Sequence, residues 1–228
     1  KQYNEYALFL DRGLRYKAYR NKAKFHSYIK AIPKKWLKVK GKKSNHIVLT
    51  IKTKSHKELS LDEAFNYITK YFEKIKKYLN KKYGVKGYIG VLEVHKSGYP
   101  HLHVIFFTKK PAKVFKWKGI WRFQEKRTWE KELKAEERGY IDAFALKSRE
   151  EFISYMTKYM AKQLKGGLVY NKDGSINLKA ATLAILRIFR KHMIIASKSI
   201  KEMAKRLEAE AAKAKARSDG KCDIYIAS

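Results

Sequence analysis

Gly87-Tyr88-Ile89-Gly90-Val91-Leu92-Glu93-Val94-His95, followed after five residues by His101-Leu102-His103-Val104-Ile105-Phe106-Phe107-Thr108, decides the reading of this chain. Both runs are apolar and rich in β-branched and aromatic residues. The connection Lys96-Ser97-Gly98-Tyr99-Pro100 is short and carries Gly and Pro. That combination predicts a β-hairpin. Side chains alternate along a strand, so His101 and His103 share one face and Leu102 takes the other. Polar groups in so apolar a hairpin need a compensating partner. If the hairpin closes symmetrically about Gly98, Glu93 lies opposite His103 and His95 opposite His101. Glu93 and His95 share a strand face, so either is a candidate third group. Two imidazoles with a carboxylate and open positions suit Mn²⁺ or Mg²⁺. The same residue types also hold Zn²⁺.

Working outward, His46 to Thr53 alternates and reads as a strand. Ser60 and Glu63 form a capping box. After it, Leu61, Ala64, Phe65, Ile68, Phe72, Ile75 and Leu79 keep helical spacing up to Gly84. Residues 109–119 read as lysine-rich and irregular, and 120–138 give no clear pattern. Tyr140 to Leu146 reads as a strand. Ser148 and Glu151 repeat the capping pattern and open a helix that ends near Gly166-Gly167. Asn171 to Gly174 reads as a turn, and from Leu178 onward the chain reads as mostly helical. The order strand, helix, three strands, helix predicts an α+β fold with helices on one face of an antiparallel sheet. The divisions expected are a basic N-terminal segment over 1–44, a central domain over 45–168 and a helical C-terminal extension over 169–228.

The chain has 228 residues, with 54 Lys+Arg against 21 Asp+Glu and a formal net charge of +33. Such an excess repels itself in a compact chain and suits a polyanionic partner. Nucleic acid is the leading class, because Lys and Arg displace counterions from phosphates. Lys52, Lys54, Lys96, Lys109 and Lys110 flank the strand ends and are the candidate phosphate contacts. The sequence has no apolar run of transmembrane length and no signal-peptide pattern, so no membrane association and a cytoplasmic setting are expected. A single cysteine, Cys222, excludes an internal disulfide and a thiolate zinc site.

The segment Phe152-Ile153-Ser154-Tyr155-Met156-Thr157-Lys158-Tyr159-Met160-Ala161-Lys162 contains Tyr-x-x-Lys twice. At ~100° per residue, Tyr159 falls ~40° from Tyr155 and Lys162 ~20° to its other side. Tyr155, Lys158, Tyr159 and Lys162 therefore form one stripe beside the apolar arc of Phe152, Met156 and Met160. A phenol with pKa about 10 is a poor nucleophile at neutral pH. A nearby ammonium favours its phenolate, and a metal polarises a target phosphate.

Taken together, these residues resemble the HUH endonuclease superfamily. His101-Leu102-His103 matches its His-hydrophobic-His metal motif, and the doubled Tyr-x-x-Lys matches its nucleophile motif. Ile47-Val48-Leu49-Thr50-Ile51 is similar to its first, structural motif. The motifs follow in the family's order over roughly residues 45–166. The doubled tyrosine looks most like the rolling-circle replication initiators of small single-stranded DNA phages and of bacterial and archaeal plasmids, and an archaeal source is expected. The resemblance implies an HUH/RRM-like central antiparallel sheet of about five strands, with the tyrosine helix lying across it and facing the metal. It implies Mn²⁺ or Mg²⁺, a covalent 5′-phosphotyrosine link, nicking and rejoining of single-stranded DNA at an origin, and host or plasmid replication proteins as partners. Tyr159, preceded by Lys158 as in plasmid initiators, is slightly favoured over Tyr155 as nucleophile. Alternatives of the same chemistry are a transposase or a relaxase. An alternative without catalysis is a single-stranded nucleic-acid binder. The chain carries no nucleotide-binding Gly-rich Lys-Ser/Thr loop, so no helicase activity is expected of it.

Overall fold

The computed structural model describes residues 16, 19–37, 39–53, 59–95, 98–133, 140–164, 185–186 and 188–222. Among these, the chain folds as α+β with an antiparallel sheet of seven strands. The strands are β1 (Val39–Lys40), β2 (Lys43–Lys52), β3 (Val85–Val94), β4 (Pro100–Trp117), β5 (Ile120–Phe123), β6 (Tyr140–Ala145) and β7 (Ile194–Ala196). The helices are α1 (19–31), α2 (Leu61–Tyr83), α3 (Lys126–Glu132), α4 (Arg149–Leu164) and α5 (Lys198–Cys222).

Five strands in the order β6-β2-β4-β3-β7 form the part of the sheet that bears the histidines. β4 is longer than the sequence suggests. Residues 109–117 are strand rather than irregular chain, and 120–123, which show no clear pattern in sequence, pair back on them. β4 passes this region through a bulge. Its register against β2 jumps from His46↔Phe107 to Ser44↔Ala112. A bulge tolerates Pro111, whose missing N–H would break a regular ladder. Beyond it, Ala112 and Val114 are buried while Lys113 and Phe115 are exposed, the period of two expected of a strand. β5 then pairs with β6, which closes β2, β4, β5 and β6 into a ring.

Both sheet faces are covered. Phe106 meets Phe72 of α2 at a ring separation of 5.9 Å, and Phe107, pointing the other way, meets Phe152 of α4 at 6.4 Å. Helices on two faces replace the single covered face expected from sequence. The near-continuous apolar run Val104 to Phe107 is what a strand buried on both sides requires. α2 forms as its sequence dictates. The Ser60 hydroxyl accepts the Glu63 N–H at 3.3 Å, and the Glu63 carboxylate accepts the Ser60 N–H at 2.7 Å. Ala64, Phe65, Ile68, Tyr71, Phe72, Ile75, Leu79 and Tyr83 then form its buried stripe.

The C-terminal part is not wholly helical. β7 adds to β3, with the Ser197 N–H donating to the Tyr88 carbonyl at 3.0 Å and the Leu92 N–H to the Met193 carbonyl at 2.7 Å. Phe25, Tyr28, Ile29 and Ile32 from the N-terminal region and Ile200 and Ala204 of α5 join the same core. The turn expected at 171–174 lies outside the described residues.

Candidate metal centre and facing tyrosine

The β3–β4 hairpin brings the polar residues of the opening segment together, in a register shifted from the symmetric one. Glu93 pairs with His101, and Val91 with His103. The His95 N–H donates to the Tyr99 carbonyl at 2.8 Å and the Gly98 N–H to the His95 carbonyl at 2.9 Å. The turn is thus centred one position before Gly98, which moves every pair by two residues. A two-residue shift preserves the face, so Glu93 still joins the histidines. The Glu93 carboxylate lies 3.1 Å from His103 Nε2 and 3.7 Å from His101 Nδ1. His95 is exposed at the turn, its ring centroid 5.9 Å from that of His101.

Glu93, His101 and His103 each offer a ligand atom, all within 4.8 Å of one another, and form a candidate metal-binding cluster. All three are buried, at 9, 8 and 3% exposure. Two further observations fit a cation here. His101 Nε2 is buried with no hydrogen-bond partner, and such an orphaned nitrogen calls for a missing group. Burial pushes the Glu93 carboxyl up, but hydrogen bonds to His101 and His103 and their charge outweigh it and hold its pKa at about 2. A carboxylate kept ionised beside two imidazoles is a nitrogen–oxygen donor set for a divalent cation.

Gly90 keeps this cluster close-packed. A Cβ there would sit 2.8 Å from the His103 carbonyl oxygen and 3.0 Å from Val104 Cβ. Only glycine lets β3 approach the back of the histidine strand so nearly.

α4 lies across the same face. Ser148 begins it, its carbonyl accepting the Phe152 N–H at 3.1 Å and its hydroxyl the Glu151 N–H at 3.2 Å. The Glu151 carboxylate accepts from the Lys147 N–H rather than from Ser148, so the box is closed one residue further back. Phe152 and Met156 are fully buried. Tyr155, one step round the helix, packs edge-on against Phe144 at 5.3 Å and His103 at 6.1 Å. Its hydroxyl lies 3.1 Å from His103 Nδ1 and 3.3 Å from Thr50 Oγ1, and Thr50 Oγ1 lies 3.1 Å from the same Nδ1. One nitrogen of the His103 ring thus meets Glu93 and the other the tyrosine. Lys158 is exposed. Tyr159 and Lys162 belong to α4, but their side chains lie outside the described residues.

Two residues at this site carry no sequence motif. Thr50 is the cross-strand partner of both His103 and Asp142. Asp142 accepts from Arg122 Nη1 at 2.6 Å and lies 3.9 Å from Lys126 Nζ. Strand alternation puts Thr50 on the histidine face only once pairing is known. Of the expected phosphate contacts, Lys52 is exposed and pairs in register with His101. Lys109 and Lys110 are exposed at the β4 bulge, six and seven residues beyond His103, roughly 20 Å along the strand. Lys54 and Lys96 lie outside the described residues.

An antiparallel sheet presenting a His–His–Glu cluster to a tyrosine on a crossing helix defines a protein with a candidate metal centre faced by a phenol. The chain belongs to the replication-associated protein family of the ORF2 type, whose model matches residues 45–164. The matched stretch contains the whole site, from β2 to the end of α4. A search of curated proteins finds no match to the chain. No described helix is long and apolar enough to cross a membrane.

Proposed function

We propose that the protein nicks and rejoins single-stranded DNA through a covalent tyrosine intermediate, as an HUH-type initiator of rolling-circle replication. The observation that carries this reading is the 3.1 Å contact between the Tyr155 hydroxyl and Nδ1 of His103, whose Nε2 faces Glu93. A nucleophile and a metal ligand at that separation can address one phosphodiester. His101, His103 and Glu93 would hold the cation, with Mn²⁺ or Mg²⁺ favoured. When bound, it would supply positive charge that polarises the scissile phosphate.

In this reading the Tyr155 oxygen attacks phosphorus. A phosphorus–oxygen bond to tyrosine forms, the bond to the 3′ oxygen breaks, and that oxygen takes up a proton to become a free 3′-hydroxyl. His103 Nδ1 and the Thr50 hydroxyl hydrogen-bond the attacking oxygen, and donors there favour the phenolate. Sequence spacing favours Tyr159, but the contacts of Tyr155 support it as the first nucleophile. Tyr159, one turn on and about 6 Å away between Cβ atoms, is the second nucleophile that closes the circle. Lys158 and Lys162 supply charge toward the phosphate.

Incubating the protein with labelled single-stranded DNA and Mn²⁺, then separating under denaturing conditions, tests this. Wild type should yield a covalent adduct mapped to Tyr155, and Tyr155→Phe should lose it on a simple oligonucleotide. An adduct that persists at full yield in Tyr155→Phe would move the first attack to Tyr159. No adduct from wild type would leave a non-catalytic binder.

A further inference from the structure

The β4–β5 hairpin carries apolar surface that the core does not use. Phe115, Trp117 and Ile120 are 40, 50 and 42% exposed. Phe115 pairs with Arg122 and Trp117 with Ile120, so all four share one face. The opposite face is the structural one, since Val114 and Phe123 are buried. The exposed face continues toward the tyrosine. Arg122 pairs in register with Phe144, the residue against which Tyr155 packs. Arg122 also bonds Asp142, the cross-strand partner of Thr50.

The charge on the hairpin has one sign. Lys113-Val114-Phe115-Lys116-Trp117-Lys118-Gly119-Ile120-Trp121-Arg122-Phe123 contains no acidic residue. Lys118 Nζ lies 4.9 Å from the Trp117 ring centroid. The tip turns at Lys118 and Gly119, with φ of 46° and 80°, the left-handed pair of a tight two-residue turn. Such a turn holds the rings on a short, fixed ribbon, so little order is lost when a flat partner binds. Exposed aromatic rings interleaved with cations match the two surfaces of a single strand, its bases and its phosphates.

We propose that this face is a base-stacking platform for the strand being processed, with bases on Trp117 and Phe115 and phosphates near Lys113 and Lys118. The inference rests on the reading that single-stranded DNA is the substrate. It assigns the hairpin to gripping the strand next to the reacting phosphate.

Equilibrium binding of the full chain to a labelled oligonucleotide, and to an abasic strand with the same number of phosphates, tests it. Measured in chelator, the readout needs no cleavage, so it stands apart from the nucleophile assignment. Wild type should bind the base-bearing strand roughly 5- to 100-fold more tightly, the range for stacking on one aromatic ring. Trp117→Ala with Phe115→Ala should lose that preference while keeping its affinity for the abasic strand. Equal binding of both strands by wild type, or a preference that survives in the double variant, overturns the platform. So does a change in the oligomeric state of the DNA-free double variant, which would make the face a contact between copies. A base preference carried by the hairpin in a protein that forms no adduct would retain the platform and remove the nicking.

Discussion

Buried His46 is the clearest titrating group outside the metal cluster. It is fully buried on β2, and Nε2 accepts the Leu146 N–H at 2.9 Å. That bond ties the end of β6, and so the start of α4, to the sheet. An N–H cannot donate to a protonated nitrogen, and burial pushes the pKa down to about 4. The unfolded chain binds this proton near pH 6.5, so between pH 6.5 and 4 it holds more protons than the native state. Stability from a neutral His46 is therefore fully present above pH 6.5 and is lost as the pH falls toward 4. At 1.36 kcal/mol per pKa unit the loss is about 3 kcal/mol. Chemical unfolding of wild type and His46→Gln across roughly pH 4–7 should show a difference that closes by that amount on acidification. Parallel curves would mean that His46 does not titrate on unfolding. At this scale, the identities of His101, His103 and Glu93 were legible because alternation is local. Thr50, Asp142 and His46 were not, because their roles come from strands that pair across about 50 to 100 residues, as in His46 to Leu146.

α4 converts core packing into nucleophile position. Phe152 and Met156 are its buried anchors, and Tyr155 sits between them at the edge of the metal cluster. Truncating Met156 to Ala should cost about 2–5 kcal/mol through lost burial and a residual cavity. It should also let the helix settle differently over Phe144 and His103. Adduct formation at a temperature where the variant is folded should then fall by roughly tenfold or more, because small misplacements of reacting groups are costly. DNA affinity should change little. Met156→Leu, which nearly conserves volume, should restore the rate. A folded Met156→Ala protein that reacts at the wild-type rate would show that α4 does not set the tyrosine's position. The helices α2 and α4 were readable because caps and apolar spacing lie within one element. β4 reads short in sequence because Lys109, Lys110 and Pro111 interrupt its alternation at the bulge. The hairpin register was not legible because loop sequence does not state which of its residues closes the turn. Edge strand β7, three residues long, has too few alternations to stand out from the helical pattern around it.

Across the whole molecule, long-range charge and local chemistry should separate by salt. The net charge of +33 is spread over exposed side chains, where interactions are screened beyond a Debye length of about 8 Å at physiological ionic strength. Glu93, His101 and His103 are no more than 9% exposed and lie within 4.8 Å of one another, well inside that length. DNA capture should follow counterion release, with log affinity falling by about 0.7 per log salt for each phosphate contacted on a single strand. About six to ten such contacts would cost roughly 300- to 15,000-fold between about 50 and 200 mM salt. The cleavage step at saturating DNA should hardly change over the same range, because its charges meet at contact distance and away from bulk ions. Removing a hairpin cation, as in Lys118→Ala, should lower the slope by about 0.7, whereas Trp117→Ala should weaken binding and leave the slope alone, since a stacked base releases no counterion. Measuring affinity and single-turnover rate on one salt series separates these terms. A saturated rate that falls in parallel with affinity would mean that strand capture and cleavage draw on the same exposed charges, and that the buried cluster does not act as a site apart from the basic surface.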